Sequence, residues 1–284
     1  MTRRAAGFLA AATLCVWAGC TQGILGAAAT DRVEKTLALS DGGTLRLENV
    51  NGSVRVTEGK PGEVRLVAEK QVRALEDARA REVLSQVRVE IEESPGEVRI
   101  RTVYPKMKSG GFLNPGASVS VTYALEVPRG TVLELATVNG SVDVNVADAR
   151  VTCETTNGSI GVDRAALLHA ATVNGKVRFD VEDVGEVSST NGGLTGRIRS
   201  QRPKGGQLET VNGSIEVTLS AEAALRVEAE NVNGSIRSEL PGLSRAKHSV
   251  RGELNGGGGT LTVETVNGSI ELLQSGPGQE KAAA

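Results

Sequence analysis

Five aspartates, Asp143, Asp148, Asp163, Asp180 and Asp183, and two histidines, His169 and His248, are where chemistry would be sought first in this 284-residue chain. Clustered acids on one face, joined by a basic residue, would suit cleavage of an acidic polysaccharide. Their spacing argues against that chemistry. Counted from the Asn of the preceding Asn-Gly step, the five acids fall at three different offsets. Only Asp163 and Asp180 share an offset on neighbouring repeats. Neither histidine has a Cys, His or acidic neighbour at ligand spacing, so no metal is expected. Gly256 to Gly259 lacks the Lys-Ser or Lys-Thr that completes a phosphate loop, and no Gly-x-Ser-x-Gly elbow occurs. Cys153 lies two positions after Val151, on one face in strand register, and reads as a small buried hydrophobe. The sequence therefore assigns no catalytic residue, no cofactor and no metal ligand.

The elements that would position such residues announce themselves by repetition. An Asn-Gly step stands at Asn51-Gly52, Asn139-Gly140, Asn157-Gly158, Asn174-Gly175 and Asn191-Gly192. It returns at Asn212-Gly213, Asn233-Gly234 and Asn267-Gly268. From Asn139 onward the steps are separated by 18, 17, 17, 21, 21 and 34 residues, the last being twice 17. A period near 20 is the mark of a repeat architecture. The copy at Asn51 stands apart from the others. Asn and Gly both tolerate positive φ, so each step reads as a structural turn. Six of the copies are Asn-Gly-Ser, the glycosylation pattern, which in a bacterial chain reads as turn chemistry.

Apolar residues alternate on both sides of the turn. Leu208 and Thr210 precede Asn212, and Ile215, Val217 and Leu219 follow it. Period two means strand with one buried face. Two architectures fit: a chain of β-hairpins, or a β-solenoid with one coil per period. Hairpins would set Glu209 opposite Glu216 and Glu264 opposite Glu271, an unfavourable pairing of like charges. A solenoid stacks Thr on Thr and Asn on Asn, and repetition of residue identity favours it. Stacking Glu154, Glu209, Glu230 and Glu264 would also bring acids together, so charge alone does not decide. The expected fold class is all-β, a right-handed β-solenoid (β-helix-like) with an N-terminal β-rich region containing one short helix.

The chain divides accordingly. Residues 1–19 read as a signal peptide of lipoprotein type, 20–30 as a tether, and 31–128 as the β-rich region. Residues 129–273 read as the solenoid and 274–284 as a disordered tail. The helix is expected from about Ala74 to Ser85, with Val72, Leu75, Ala80, Val83, Leu84 and Val87 on one side. Residues 105–118 read as a loop. The stretch from Ser238 to Gly259 replaces a missing coil, as an extruded loop or hairpin. No linker separates the two regions, so they are expected to share a continuous sheet edge.

Arg3 and Arg4 precede an apolar run, Ala5 to Ala18, that is short for a bilayer span. The run ends Ala18-Gly19-Cys20, which resembles a bacterial lipoprotein cleavage site with Cys20 as the lipidated residue. Trp17 departs from the usual Leu, and cleavage near Ala27-Ala28-Ala29 is the alternative. Thr21, not Asp, follows Cys20, which by resemblance to Gram-negative lipoproteins implies the outer membrane. Loss of Arg3 and Arg4 with the signal moves the formal net charge from -2 to -4. That balance excludes nucleic acid as a partner and leaves membrane contact to the N-terminal lipid. Beyond the signal the aromatics are Tyr104, Phe112, Tyr123 and Phe179, too few for stacking sugars or bases.

The order of features resembles a known family. A signal, β-strands with one helix, and Val127-Pro128-Arg129-Gly130 come first. Thr-Val-Asn-Gly-Ser-Ile repeats follow, closing on a Gly-rich turn and a last Glu264-Thr265-Val266-Asn267-Gly268-Ser269-Ile270. This is similar to the DUF4097 family, the bacterial adhesin-like domain, over roughly residues 31–273. The resemblance implies a β-solenoid at the cell envelope and brings no catalytic or binding residues. Three function classes follow. The first is a non-enzymatic envelope lipoprotein whose solenoid face contacts another macromolecule or a second copy of itself. The second is a polysaccharide-active β-helix enzyme, and the third a structural or envelope-stress sensing module.

Overall fold

The computed structural model describes residues 27–104 and 117–275. The chain begins with β1 (Ala27–Ala38), β2 (Thr44–Glu48), β3 (Val54–Glu58) and β4 (Glu63–Ala74). The only helix among the described residues, α1 (Asp77–Gln86), comes next. Then follow β5 (Arg88–Ser94), β6 (Glu97–Val103) and β7 (Ala117–Val127). From here each coil is a strand, an Asn-Gly corner and a second strand. The pairs are β8 (Val132–Asn139) with β9 (Val142–Asn145), β10 (Arg150–Asn157) with β11 (Ile160–Asp163), and β12 (Leu167–Asn174) with β13 (Val177–Val181). The pattern continues through β14 (Asp183–Asn191) with β15 (Leu194–Ile198), β16 (Gly205–Asn212) with β17 (Ile215–Leu219), and β18 (Leu225–Asn233) with β19 (Ile236–Ser238). A hairpin of β20 (Ser244–Arg245) and β21 (Ser249–Leu254) precedes the last coil, β22 (Gly259–Asn267) with β23 (Ile270–Gln274).

The first strands of the coils form one sheet, ordered β20-β21-β18-β22-β16-β14-β12-β10-β8-β2-β6-β5. The second strands form the other, ordered β1-β4-β7-β3-β9-β11-β13-β15-β17-β23-β19. Pairing between coils is parallel and keeps residue identity: Thr155 lies beside Thr137 and Thr172, and Asn157 beside Asn139 and Asn174. Parallel, in-register pairing excludes the hairpin chain and gives stacked coils, with antiparallel strands only at the two ends. The faces that look at each other are apolar. Leu208, Ile215, Val217 and Leu219 are at most 1% exposed. They belong to one continuous core running the length of the stack. A second small cluster, Val72, Ala74, Ala80 and Val83, lies under α1.

Four expectations change. The helix starts at Asp77, because Val72 and Ala74 belong to the long strand β4; Leu75 points into solvent, 87% exposed. The Asn51 copy does not stand apart. β2 pairs with β8 and β3 with β9, so its coil is stacked with the rest and the sheets run unbroken across residue 128. No coil is missing between Ser238 and Gly259. That stretch forms a hairpin, β20–β21, one of the two forms expected, and β22 then inserts between β16 and β18. The spacing of 34 is the length of this detour. Finally, β23 runs through Gln274, one residue into the expected tail.

Candidate interaction surface

The repeated motif has a division of labour that begins with Gly. Only Gly52 and Gly234 of the eight corner glycines have positive φ, at 121° and 145°. The turn conformation expected for Gly140, Gly158, Gly175, Gly192, Gly213 and Gly268 is therefore not what demands glycine there. Close approach is. A Cβ on Gly213 would lie 2.1 Å from the Gly192 carbonyl oxygen, and one on Gly158 2.0 Å from that of Gly140. Each such carbonyl is held by the Thr two places before the next Asn. The Thr155 hydroxyl donates to Gly140 O at 3.1 Å, Thr210 to Gly192 O at 2.8 Å and Thr265 to Gly213 O at 2.9 Å. Ser189 does the same to Gly175 O at 3.0 Å. These hydroxyls are buried and satisfied across the coil gap; Thr137, in the same position, is buried with its hydroxyl unpaired.

The Asn side chains form a ladder on the outside of the corner. Asn139 donates to Asn51, Asn157 to Asn139, Asn174 to Asn157 and Asn191 to Asn174. Asn212 donates to Asn191, Asn267 to Asn212 and Asn233 to Asn267, all seven bonds measuring 2.7–3.0 Å. The ladder thus runs in spatial order, with Asn267 between Asn212 and Asn233. Each of the six inner amides both donates and accepts, so the column is a polymer of one hydrogen bond.

Beside this ladder an apolar column faces solvent. Alternation puts the residue before each Asn outward. Val138, Val173, Val211, Val266 and Val232 are 40, 41, 36, 40 and 62% exposed. Thr156 and Thr190 occupy the same column and are also exposed. At the C-terminal end Val211, Val266 and Val232 lie on three adjacent strands. One column further in, Glu209, Glu264 and Glu230 are in register on the same strands. Glu154 is not among them, since its neighbours are Ala136 and Ala171. Five of these six, Val211 excepted, floor a groove of about 420 Å³ walled by His248 and Ser249 at the start of β21. His248 Nδ1 lies 3.3 Å from Asn231 Oδ1, and Arg251 pairs with Glu230. Sequence reasoning missed this groove. The Glu alternation was visible, but the insertion that aligns Glu264 between Glu209 and Glu230 was not.

The five aspartates do not converge. Asp163 and Asp180 are in register on β11 and β13, each beside its own arginine. Arg178 meets Asp163 at 2.9 Å and Arg199 meets Asp180 at 3.5 Å. Asp148 meets Arg129 at 2.6 Å. Asp183 is buried and accepts from the Val184 and Lys204 backbone N–H groups at 3.0 and 2.9 Å. Asp143 faces solvent beside Gly161. His169 sits at a bulge, its Nδ1 accepting from the Glu186 backbone N–H at 3.3 Å. Among the described residues no group of three or more His, Cys, Asp or Glu side chains is placed to hold a metal. Cys153 is wholly buried and its thiol is pushed up by desolvation, as for a packing residue. Cys20 lies outside the described residues.

A polar cluster closes the N-terminal end. Asn49 donates to Val121 O at 2.9 Å and accepts from Thr102 and Tyr104 at 3.0 and 2.9 Å. The Tyr123 and Thr102 hydroxyls are 2.6 Å apart. Burial pushes the Tyr123 phenol up to about 12. Two of the four aromatics outside the signal therefore brace the first coils and are not displayed on the surface.

No family model matches this chain, and no curated protein matches it. Solved structures can be overlaid on it. A candidate cell adhesion protein from Clostridium sporogenes ATCC 15579 is 13% identical with TM-score 0.35, over 86% of this chain and 100% of that one. A candidate adhesin from Bacteroides fragilis NCTC 9343 is 10% identical with TM-score 0.40, over 86% and 97%. A candidate lipid binding protein from Parabacteroides distasonis ATCC 8503 is 11% identical with TM-score 0.25, over 87% and 95%. Overlaps this weak carry no argument about fold or function.

Proposed function

We propose that this chain is a non-enzymatic envelope protein of the adhesin-like kind, tethered through a lipid on Cys20 to the outer membrane. Its coils, of right-handed sense, present a surface to another macromolecule. The single observation that carries this reading is the exposed valine column beside the Asn ladder. Val211, Val266 and Val232 stand exposed on three adjacent strands, and contiguous exposed apolar patches mark contact sites. The flanking Asn column is exposed and regularly spaced, and each amide keeps a donor and an acceptor beyond its ladder bonds, so the face suits an extended or repetitive partner.

The test is photo-cross-linking in intact cells from single probe positions. Adducts should form from Val211, Val266 or Val232 and not from Glu216, which is exposed on the opposite sheet. Adducts of equal yield from both sheets, or from Glu216 alone, would refute the assignment of the face. The groove at Glu209, Glu264 and Glu230 favours a second reading, a polysaccharide-active site. Chain-shortening of an acidic polysaccharide that disappears in Glu264→Gln would establish it in place of the first.

A further inference from the structure

The order of coils in space is not their order in the chain. β22 lies between β16 and β18, and β23 between β17 and β19. Leu261, Val263, Ile270 and Leu272 of this coil are at most 1% exposed, so it is an integral part of the core. Yet it leaves the ribosome after both of its neighbours. By then β16, β18 and the β20–β21 hairpin exist, and both neighbours of the slot are already made.

The neighbours can also pair with each other. Because Thr210 and Asn212 align with Thr265 and Asn267, which align with Asn231 and Asn233, β18 fits β16 directly in the same register. Its Asn233 would then meet Asn212. The repeat thus makes two arrangements of the end available: slot closed on itself with residues 259–274 free, or slot filled. In the first, the apolar face of the last coil is exposed, which is costly.

The segment that joins cap and coil is a tight turn. Asn255, Gly256, Gly257 and Gly258 have φ of 47°, 90°, 76° and 158°. Gly256 meets nothing within 4 Å, so what limits that position is conformation, not space. Asn255 and the three glycines adopt these four successive positive φ values readily, so the native turn closes without strain, whereas a side chain with a Cβ at the glycine positions would favour an extended hinge.

We propose that residues 259–274 are exchangeable and that the slot accepts the same segment from a second copy of this chain. Two chains are then joined by reciprocal insertion. Every contact in such a pair repeats one made within the single chain, so only the hinge and the entropy of association differ. The exchange requires the slot to open, which happens during folding and not in the finished stack. It does not depend on what the valine face binds.

The experiment mixes two full-length variants, Glu209→Cys and Glu264→Cys, each carrying Cys15→Ala, Cys20→Ala and Cys153→Ala so that one thiol remains, unfolds them together and refolds them at low and high protein concentration. The two positions are in register on β16 and β22. A disulfide between 209 of one copy and 264 of the other, located by peptide mass mapping, is expected in the dimer fraction and should rise with concentration. Gly256→Val with Gly257→Val should raise the dimer yield several-fold, since valine strains the closed turn and not the open hinge. Dimers without the 209–264 link, or monomer alone at every concentration, would overturn the proposal. Both cysteine variants keep the native hinge, so the cross-link decides the question even where the hinge variant fails to refold.

Discussion

At the residue scale, Gly213 shows how a correct position can rest on a wrong reason. Positive φ would make Asn a tolerable replacement and Val a costly one. Close approach makes any Cβ costly, because the obstacle is the Gly192 carbonyl already held by Thr210. Gly213→Ala and Gly213→Asn should therefore both destabilise by on the order of 1–3 kcal/mol, as overpacking does. Denaturant unfolding of the two variants checks this; an Asn variant as stable as wild type would restore the φ explanation. Tyr123 supplies a pH prediction. Its folded pKa of about 12 lies above the usual 10, because burial opposes the phenolate. The stability it contributes is complete below pH 10 and is lost as pH rises toward 12, on the order of 2–3 kcal/mol. Tyr123→Phe should flatten that alkaline loss while leaving Thr102 its bond to Asn49. An unchanged alkaline limb would mean that other groups set it.

At the scale of the element, alternation decides which side chains matter. Ile215 is 1% exposed and Glu216 is exposed on the same strand. Ile215→Ala should cost roughly 2–5 kcal/mol. Glu216→Ala should stay within about 0.5 kcal/mol of zero. Equal effects would contradict the register of β17 and β23. Glu216 has a second reason to be neutral or better when removed, because it stacks on Glu271 of the inserted strand. The helix shows the limit of element-level pattern. Val72 and Leu75 share an apparent apolar side with Ala80 and Val83. In the fold, Val72 serves β4 and Leu75 serves nothing that is described. A 12-residue antiparallel strand outcompetes the first turn of a short amphipathic helix, since helix propensity is a weak prior against sheet pairing.

At the scale of the whole molecule, spatial order governs what counts as an end. Gly268 is near the C-terminus in sequence but lies between Gly213 and Gly234 in the stack. Valine at Gly213 and at Gly268 should thus broaden unfolding alike. At Gly234, on the outermost coil, it should do so least, because nearest-neighbour coupling is lost on one side only. The anchoring proposal also belongs here. A single acyl chain holds a protein only marginally, so stable attachment needs the several chains of a lipoprotein. Cys20→Ala should move the protein from the membrane to the soluble envelope fraction. A wild-type mature N-terminus near Ala28 without lipid, found by mass spectrometry, would rule the anchor out.

The sequence by itself determined the coil. Period-two alternation around a recurring Asn-Gly fixes two strands and a corner, and identity from copy to copy requires like to stack on like. Those are local and nearest-neighbour constraints, written into every repeat. What only the tertiary structure decided is which coil neighbours which. Asn51 joining Asn139, and Asn267 entering between Asn212 and Asn233, leave no trace in a repeat unit. The coils are so nearly equivalent that each offers almost the same partner surface. The choice among them falls to the antiparallel strands at the two ends and to the length of chain that must reach round them. The acidic groove and the continuous valine column at the C-terminal end follow from that choice, and so were beyond what spacing along the chain could reveal.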